Sequence, residues 1–498
     1  MDGCVQSLRW FVRGVNAEDF SWTSAWWVVQ AFEIGSERQE MPWRRCAIRL
    51  IAAFALRFCL FVCVPVHAQD VNSNTQNWNL QGQVTETVQG DPGFPAKYSG
   101  VNSLNSAGEV QETFTSDLFF GARLWHGGEV HADGLLWQGF GLSRTEGIEA
   151  FPNGDAFKLG TTNPHFMFAH LFIRETIGFG GKQESVPDGP LTLAGKQDIS
   201  RLTFTFGRFT PTDIFDHNVY AQDPHAQFLN WAMNTNLAWD FPSDSVGYTT
   251  GIAMELNQPK WALRSGFFQV PFSKNGFTAD DQVLTWPHAG GDGQFLRSWG
   301  TIAEFDRRYD ANVHPGALRF LAWLDEGHMI SYREATLILE ANGPAADLSA
   351  ARAYRRKYGF GLNWEQELAK NVGLFSRLGW NNGQTEGWMY TDANWTASFG
   401  ASVNGAAWRR SNDSFGLAFV ASGASNSAQQ YLEAGGTDIV DGDGRLTYGS
   451  EKVMEAYYNF PIWKAIHATA DYEFVDNPAF NRDRGPVSVF AARFHWQF

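Results

Sequence analysis

The chain of 498 residues carries 38 Lys and Arg against 53 Asp and Glu, a formal net charge of −15, and 15% of it is aromatic. Mean hydropathy is slightly polar at −0.29 despite 21 Trp and 41 Phe, and no run of 18 or more uncharged apolar residues exists to cross a membrane as a helix. The acidic balance argues against nucleic-acid binding, since phosphate contacts need basic surface.

All four cysteines (Cys4, Cys46, Cys59 and Cys63) lie in the first 63 residues, and the 435 that follow have none. A disulfide-stapled body is therefore excluded, and the pattern suits a chain that crosses an oxidising periplasm unfolded. From Met41 the sequence has the layout of a secretion signal. Arg44, Arg45 and Arg49 form a basic region, Leu50 to Val64 an apolar stretch broken by Arg57, and Val66-His67-Ala68 a small-x-small cleavage pattern. The competing reading is a buried helix; a lipid anchor at Cys63 is disfavoured because Leu60-Phe61-Val62 lacks the small residue such an anchor needs. The expected organisation is an extension over 1–40 from a mis-assigned start, a signal peptide over 41–68, a short flexible segment over 69–77 and a single domain over 78–498. Cleavage after Ala68 leaves 430 residues with 31 basic and 47 acidic side chains, net −16.

The rest of the chain alternates with period two, the sign of strands with unlike faces. In Thr113 to Trp125, Phe114, Leu118, Phe120, Ala122 and Leu124 share one face, and Asp117, Gly121 and Arg123 take the other. Gly127-Gly128 supplies a tight turn, and the return over Glu129 to Trp137 places Glu129, His131 and Asp133 on its polar face. Tyr248 to Asn257 sets Tyr248, Ile252, Met254 and Leu256 outward and Glu255 inward. Its partner Trp261 to Phe268 sets Trp261, Leu263 and Phe267 against Arg264. Ala317 to Asp325 opposes Leu318, Phe320, Ala322 and Leu324 to Arg319 and Asp325. Tyr358 to Glu367 and Val372 to Asn381 make a hairpin with Asn363, Glu365, Arg377 and Asn381 on the polar side. Val453 to Phe460 and Ala465 to Val475 add a pair carrying Glu455, His467, Asp471 and Glu473.

Such strands can close as a soluble sandwich or propeller, or as an outer-membrane barrel with an apolar face to lipid and a polar face to the lumen. The last strand, together with the secretion signal, favours the barrel. Phe490, Ala492, Phe494, Trp496 and Phe498 alternate with Ala491, Arg493, His495 and Gln497, and the chain stops on the aromatic. A soluble edge strand this apolar would invite aggregation, whereas in lipid the sheet has to close. At roughly 50 residues per hairpin, 430 residues allow about 16 to 18 strands, a width that leaves an aqueous channel. Trp125, Trp137, Trp380 and Tyr458, near strand ends, are expected in the aromatic girdles at the membrane interface.

Several blocks carry a family resemblance: GARLW at 121–125, GFGLSRTEGIEAFPNGDAFKLG at 139–160, RLTFTFGRFTPTDIFDHNVYAQDPHAQFLNWAMNTNLAWDFPSDSVGY at 201–248 and NWEQEL at 363–368. RLGWNNGQTEGW at 377–388, GDGRLTY at 442–448 and NPAFNRDRGPVSVFAARFH at 477–495 continue the set, which runs in order from about residue 78 to the end. It resembles the carbohydrate-selective porin family (the OprB type). The resemblance implies a 16-stranded transmembrane antiparallel β-barrel with a wide aqueous lumen, passing monosaccharides such as glucose, with no enzymatic chemistry and no cofactor. It implies sugars, outer-membrane lipids and the barrel-assembly machinery, reached through the strand ending at Phe498, as partners.

The polar-face candidates for the pore lining are Arg123, Glu129, His131, Asp133, Glu255, Arg264, Arg319, Glu365, Arg377, Glu455 and Arg493. Sugar hydroxyls can use both donors and acceptors there; the plainer reading is that such residues hold strands in register as cross-strand ion pairs. The turn-rich stretch Phe209 to Asp240 is too long for a strand and carries Asp213, Asp216, Asn218, Tyr220, Asp223, Asn230 and Trp231. It either folds into the lumen as a constriction, with Tyr220 or Trp231 stacking on sugar rings, or packs on itself outside. Asp441-Gly442-Asp443-Gly444 resembles part of a calcium loop, but with Gly444 at the sixth position Ile439 would stand first and Ser450 twelfth, where acidic ligands are required, so it reads as a turn. Against a sugar channel stand a general or cation-preferring porin, an outer-membrane barrel hydrolase, which lacks any nucleophile motif here, and a barrel with a plugged lumen.

Overall fold

The computed structural model describes residues 75–498 apart from 157–159, 272, 276–296 and 464; the extension, the signal segment and most of 69–77 lie outside the described residues. In chain order the strands are β1 (Trp78–Asp91), β2 (Glu109–Trp125), β3 (Gly128–Gly139), β4 (Thr161–Gly178), β5 (Gln183–Val186) and β6 (Gly195–Asp198). They continue with β7 (Arg201–Phe209), β8 (Thr249–Gln258), β9 (Trp261–Gln269), β10 (Trp299–Ala311), β11 (His314–Ile330) and β12 (Arg352–Ala369). The last are β13 (Val372–Asn381), β14 (Trp395–Asn404), β15 (Ser414–Gly423), β16 (Glu451–Trp463), β17 (Ile466–Asp476) and β18 (Val487–Gln497). Sixteen of them form one closed antiparallel barrel in which neighbours in sequence are neighbours in space, while β5 and β6 pair as a separate hairpin between β4 and β7.

The barrel closes where its ends meet. β1 pairs with β18 from Gln83↔Gln497 to Gly90↔Phe490, and Gly82 and Phe498 exchange two backbone hydrogen bonds of 2.9 Å. Gly82 is required to be small: a Cβ there would lie 2.5 Å from the ring of Phe498, which covers it. The aromatic stop therefore fits a specific seat in the first strand, and the closure leaves no open sheet edge.

The two faces of the wall divide as alternation predicts. Leu118, Phe120, Phe166, Phe206, Leu263, Phe305, Phe320, Phe360, Leu378, Phe399, Phe419 and Phe490 are exposed on the outside. So many exposed apolar side chains would be untenable in water and form the lipid-facing band of a membrane barrel. Two expected positions differ. Trp137 is buried on the inward face of β3, packed with Leu135, Met167, Ala169 and Val246, so it does not belong to an interface girdle. Tyr248 precedes β8 rather than starting it. After Gly247 (φ +106°) the chain turns that ring inward, against His170 at 5.1 Å and the Arg208 guanidinium at 5.6 Å.

One end of the barrel is made mostly of short turns, including His126-Gly127 (Gly127 φ +92°) and Lys370-Asn371, but also carries residues 179–200 with the β5–β6 hairpin; the other end carries most of the long segments. These segments form a cap whose apolar clusters are shared with the inner face of the wall. Phe94, Leu104, Ile148, Phe228, Leu237, Tyr332, Leu339, Tyr431 and Leu432 belong to one apolar cluster, and Phe209, Phe215, Trp239, Phe241, Trp388 and Tyr390 to another. Helices Tyr332–Asn342 and Asn426–Glu433 meet through Tyr332 and Tyr431, whose ring centres are 5.2 Å apart. Among the described residues no helix is long and apolar enough to cross a membrane.

Candidate functional site: a segment held across the lumen

The connection from β7 to β8, residues 210–248, has few strand partners for its backbone, and unpaired buried amides are costly. It is anchored instead by inward side chains of the far wall. Asp216, in a left-handed conformation (φ +58°) that Asp tolerates, is the first anchor. Its Oδ2 accepts from Arg377 Nε (2.9 Å) and from the Asn236 amide (3.0 Å), and its Oδ1 from Asn363 Nδ2 (2.7 Å). Its own amide donates to Glu304 Oε2 at 2.7 Å. The Val219 amide donates to Glu365 Oε2 (2.7 Å), and Asn218 Nδ2 to Asn363 Oδ1 (2.7 Å).

A second anchor sits on β16 to β18. Glu455 accepts from the amides of Leu229 (2.5 Å) and Asn230 (3.2 Å), and Glu473 from Asn230 Nδ2 (2.6 Å). Arg493 donates to the carbonyl oxygens of Pro224 and, at 2.9 Å, Gln227. Asn230 also caps the short helix Trp231–Asn234 by accepting from the Ala232 amide. The segment thus runs inside the barrel, as the first of the two readings expected, and is tied to strands on its opposite side.

The pore-lining candidates fall into two groups. Arg123 and Glu129 are register partners bonded at 3.0 Å. Arg264 lies between its register partners Glu255 and Glu304, at 2.6 Å from each, and reaches Asp306 at 3.5 Å. Arg319 pairs with Glu365 at 2.9 Å. These form a ladder of paired charges on the wall, part-exposed to the lumen at Arg123, Glu129, Glu255 and Arg264. Arg377, Glu455, Arg493, His131 and Asp133 also point inward, but they are fully buried. The first three are covered by the segment they anchor. His131 contacts Glu129 (3.3 Å) and stacks on Phe172, and Asp133 holds His170 at 2.9 Å, whose other nitrogen meets Asp213 at 3.0 Å.

Trp231 does not offer a free ring. It stacks on Phe151 at 5.2 Å and packs against Tyr390 and Phe241 at 5.5 and 6.0 Å. Tyr220 is half-buried, with its ring so close over Gly373 that a Cβ there would lie 1.9 Å from it. Asp223 receives the His225 imidazole at 2.8 Å. The water-facing tip is completed by His217, which the sequence reading did not single out. Its imidazole is held below its ordinary value, first by enclosure within the barrel and then by Arg319.

Other residues were missed. Glu304 and Asp306 lie on β10, whose alternation with Ala303 and Phe305 would have placed them inward. Asp240 gave no such signal. It accepts from the amides of Trp388 (2.7 Å), Met389 (3.0 Å) and Tyr390 (2.9 Å) and pairs with Lys357 at 3.1 Å. Burial opposes its ionisation, but Lys357 and those amides hold its pKa below the ordinary carboxylate value.

The sequence profile described as "Carbohydrate-selective porin, OprB family" matches residues 101–498. The chain belongs to the OprB family. Like its family, it is a non-enzymatic, carbohydrate-selective channel of the bacterial outer membrane. Among solved structures, the high-pH structure of Pseudomonas putida OprB is similar with a TM-score of 0.62 at 15% identity, over 85% of this chain and 94% of that one. The outer-membrane channel DcaP of Acinetobacter baumannii matches with a TM-score of 0.45 at 11% identity, over 87% of this chain and 100% of that one. No curated protein sequence matches the chain. In an OprB-type barrel the short turns face the periplasm and the long segments the exterior, so the 210–248 segment enters the lumen from outside.

Proposed function

We propose that this porin passes neutral monosaccharides, glucose among them, through a passage bounded by the 210–248 segment and the charge ladder it meets. The observation that supports this reading is the anchoring of the segment across the lumen by Asp216–Arg377 and by Glu455 with Arg493. It narrows the passage and places the tip residues Asp213, His217, Tyr220 and Asp223 on the same side of the barrel interior as lumen water. Beside them Arg264 and Glu255 present a donor next to an acceptor to the lumen, while Arg319 and Glu365 are buried where the segment meets the wall. A sugar hydroxyl can donate and accept at once, so it can use both members of such pairs, whereas a lone ion is attracted by one and repelled by the other. Arg123 and Glu129 extend the same paired lining, and His131 and Asp133 support it from behind.

The precursor is cut after Ala68, and the strand that ends on Phe498 is what the barrel-assembly machinery recognises. The test is swelling of liposomes loaded with the purified protein. Glucose should enter much faster than a disaccharide of the same concentration, and glucose should block ion current in a planar bilayer. Cation-selective current with no sugar block would instead mark a general porin.

A further inference from the structure

Three carboxylates from three separate exterior segments converge beneath the cap: Glu149 between β3 and β4, Asp392 between β13 and β14, and Asp441 between β15 and β16. Each offers one oxygen, and the three lie within 4.8 Å of one another. All three residues are at least nine-tenths buried. Two are oriented by their neighbours. Glu149 Oε1 accepts from Thr391 Oγ1 (2.7 Å) and the amides of Asp392 (2.9 Å) and Ala393 (2.8 Å). Asp392 Oδ2 accepts from the amides of Ile439 and Val440 at 2.9 and 2.8 Å.

Asp441 is 1% exposed, and among the described residues its Oδ1 has no hydrogen-bond partner. A buried carboxylate oxygen with nothing to accept from is costly. The nearby cation Lys274 is already engaged by Asp438 at 2.6 Å and Glu386 at 3.4 Å. A dication between the three oxygens would supply the missing partner and offset the mutual repulsion of three buried carboxylates.

We propose that Glu149, Asp392 and Asp441 bind one divalent oxygen-seeking cation of the calcium type, which staples three exterior segments of the cap together. The span fits: oxygens bound at about 2.3–2.6 Å on opposite sides of one Ca²⁺ lie roughly 5 Å apart. This site is not the Asp441-Gly442-Asp443-Gly444 loop considered from the sequence, because two of its ligands come from elsewhere in the chain.

The test uses the full barrel refolded in detergent free of lipopolysaccharide, stripped with EDTA and titrated with CaCl₂ by calorimetry. One Ca²⁺ per chain is expected, with a Kd on the order of 1 mM or tighter, as in extracellular calcium modules. The melting temperature should be higher in calcium than in EDTA. Asp441→Asn, which removes one charged ligand and eases the apo repulsion, should weaken calcium binding at least tenfold and abolish the calcium-dependent shift in melting. Asp392→Asn should do the same and serves if the first variant does not refold. No binding by the wild type at ~10 mM CaCl₂, or binding by both variants equal to wild type, overturns the proposal.

Discussion

Asp216→Asn is the substitution that most directly probes the lumen segment. Asn tolerates the left-handed backbone at this position as well as Asp does, so the change isolates charge and hydrogen bonding from backbone strain. The carboxylate receives donors on both oxygens: Asn363 Nδ2 on Oδ1, and Arg377 Nε with the Asn236 amide on Oδ2. An amide can keep only one of these sides and turns an NH₂ toward donors on the other. Arg377 is then fully buried without its counter-charge, and removing one partner of a buried ion pair costs about 3–5 kcal/mol. Because 1.36 kcal/mol is a factor of ten, the seated state of the segment should lose roughly two orders of magnitude or more in population relative to released states. Single-channel conductance should rise or become noisy, a disaccharide should begin to enter liposomes, and the melting temperature should fall. Arg377→Met alone should behave similarly by stranding Asp216, while the double variant should lose far less than the sum of the two. Unchanged conductance and melting in Asp216→Asn, or strictly additive losses in the double variant, would refute the anchoring role.

Gly82→Val forces a side chain into the ring of Phe498 and should slow refolding and lower barrel yield, seen as loss of the heat-modifiable band on gels; normal assembly would count against the closure seat. Tyr220→Ala should weaken glucose block of ion current while leaving the melting temperature near wild type, because the ring lies at the water-facing tip. His225 sits between Asp223 at 2.8 Å and Asp155 at 3.4 Å; burial opposes its charge, but the two carboxylates raise its pKa well above the ordinary value. Its stabilising contribution is therefore complete below about pH 6.5 and lost as pH rises through the folded-state value, so conductance noise should increase at alkaline pH in the wild type. His225→Gln should show no such transition, and an identical alkaline profile in that variant would contradict the assignment.

The wall was legible because its two faces meet different solvents, which writes a period of two directly into the residues. Leu118 and Phe120 against Asp117 and Gly121, or Phe494 and Trp496 against Arg493 and His495, are placed in the structure as the alternation predicts. The failures have local causes. Trp137 obeys the period and faces inward, but Trp near a strand end suggested an interface girdle. Tyr248 breaks the period because Gly247 re-aims the chain just before β8. What alternation could not supply was the path of residues 210–248. Their partners are remote, with Asp216 bonded to Arg377 161 residues away and Leu229 to Glu455 226 residues away, and no local pattern records such pairings. Loop length alone marked the segment as functional, and it left open whether Trp231 faced sugar or, as found, Phe151.

The acidic balance of the chain also changes meaning once those partners are known. Read as composition, an excess of carboxylates suggests a lumen that favours cations. In the structure much of that charge is already committed. Asp216 is matched by Arg377, Asp240 by Lys357, Glu255 and Glu304 by Arg264, and Glu365 by Arg319. Glu455 receives backbone amides of the 210–248 segment and Glu149 those of the β13–β14 connection, the acceptors that a chain without strand neighbours needs. These carboxylates are there because irregular backbone inside a barrel must be hydrogen-bonded, and an anion accepts several amides at once with bonds stronger than neutral ones. Net charge is therefore a poor guide to what this channel prefers. The water-facing remainder, a tip with His217, Tyr220 and Asp223 seated beside a wall of paired charges, offers many hydrogen-bonding groups and little unbalanced field, the condition under which a neutral polyol competes well with an ion.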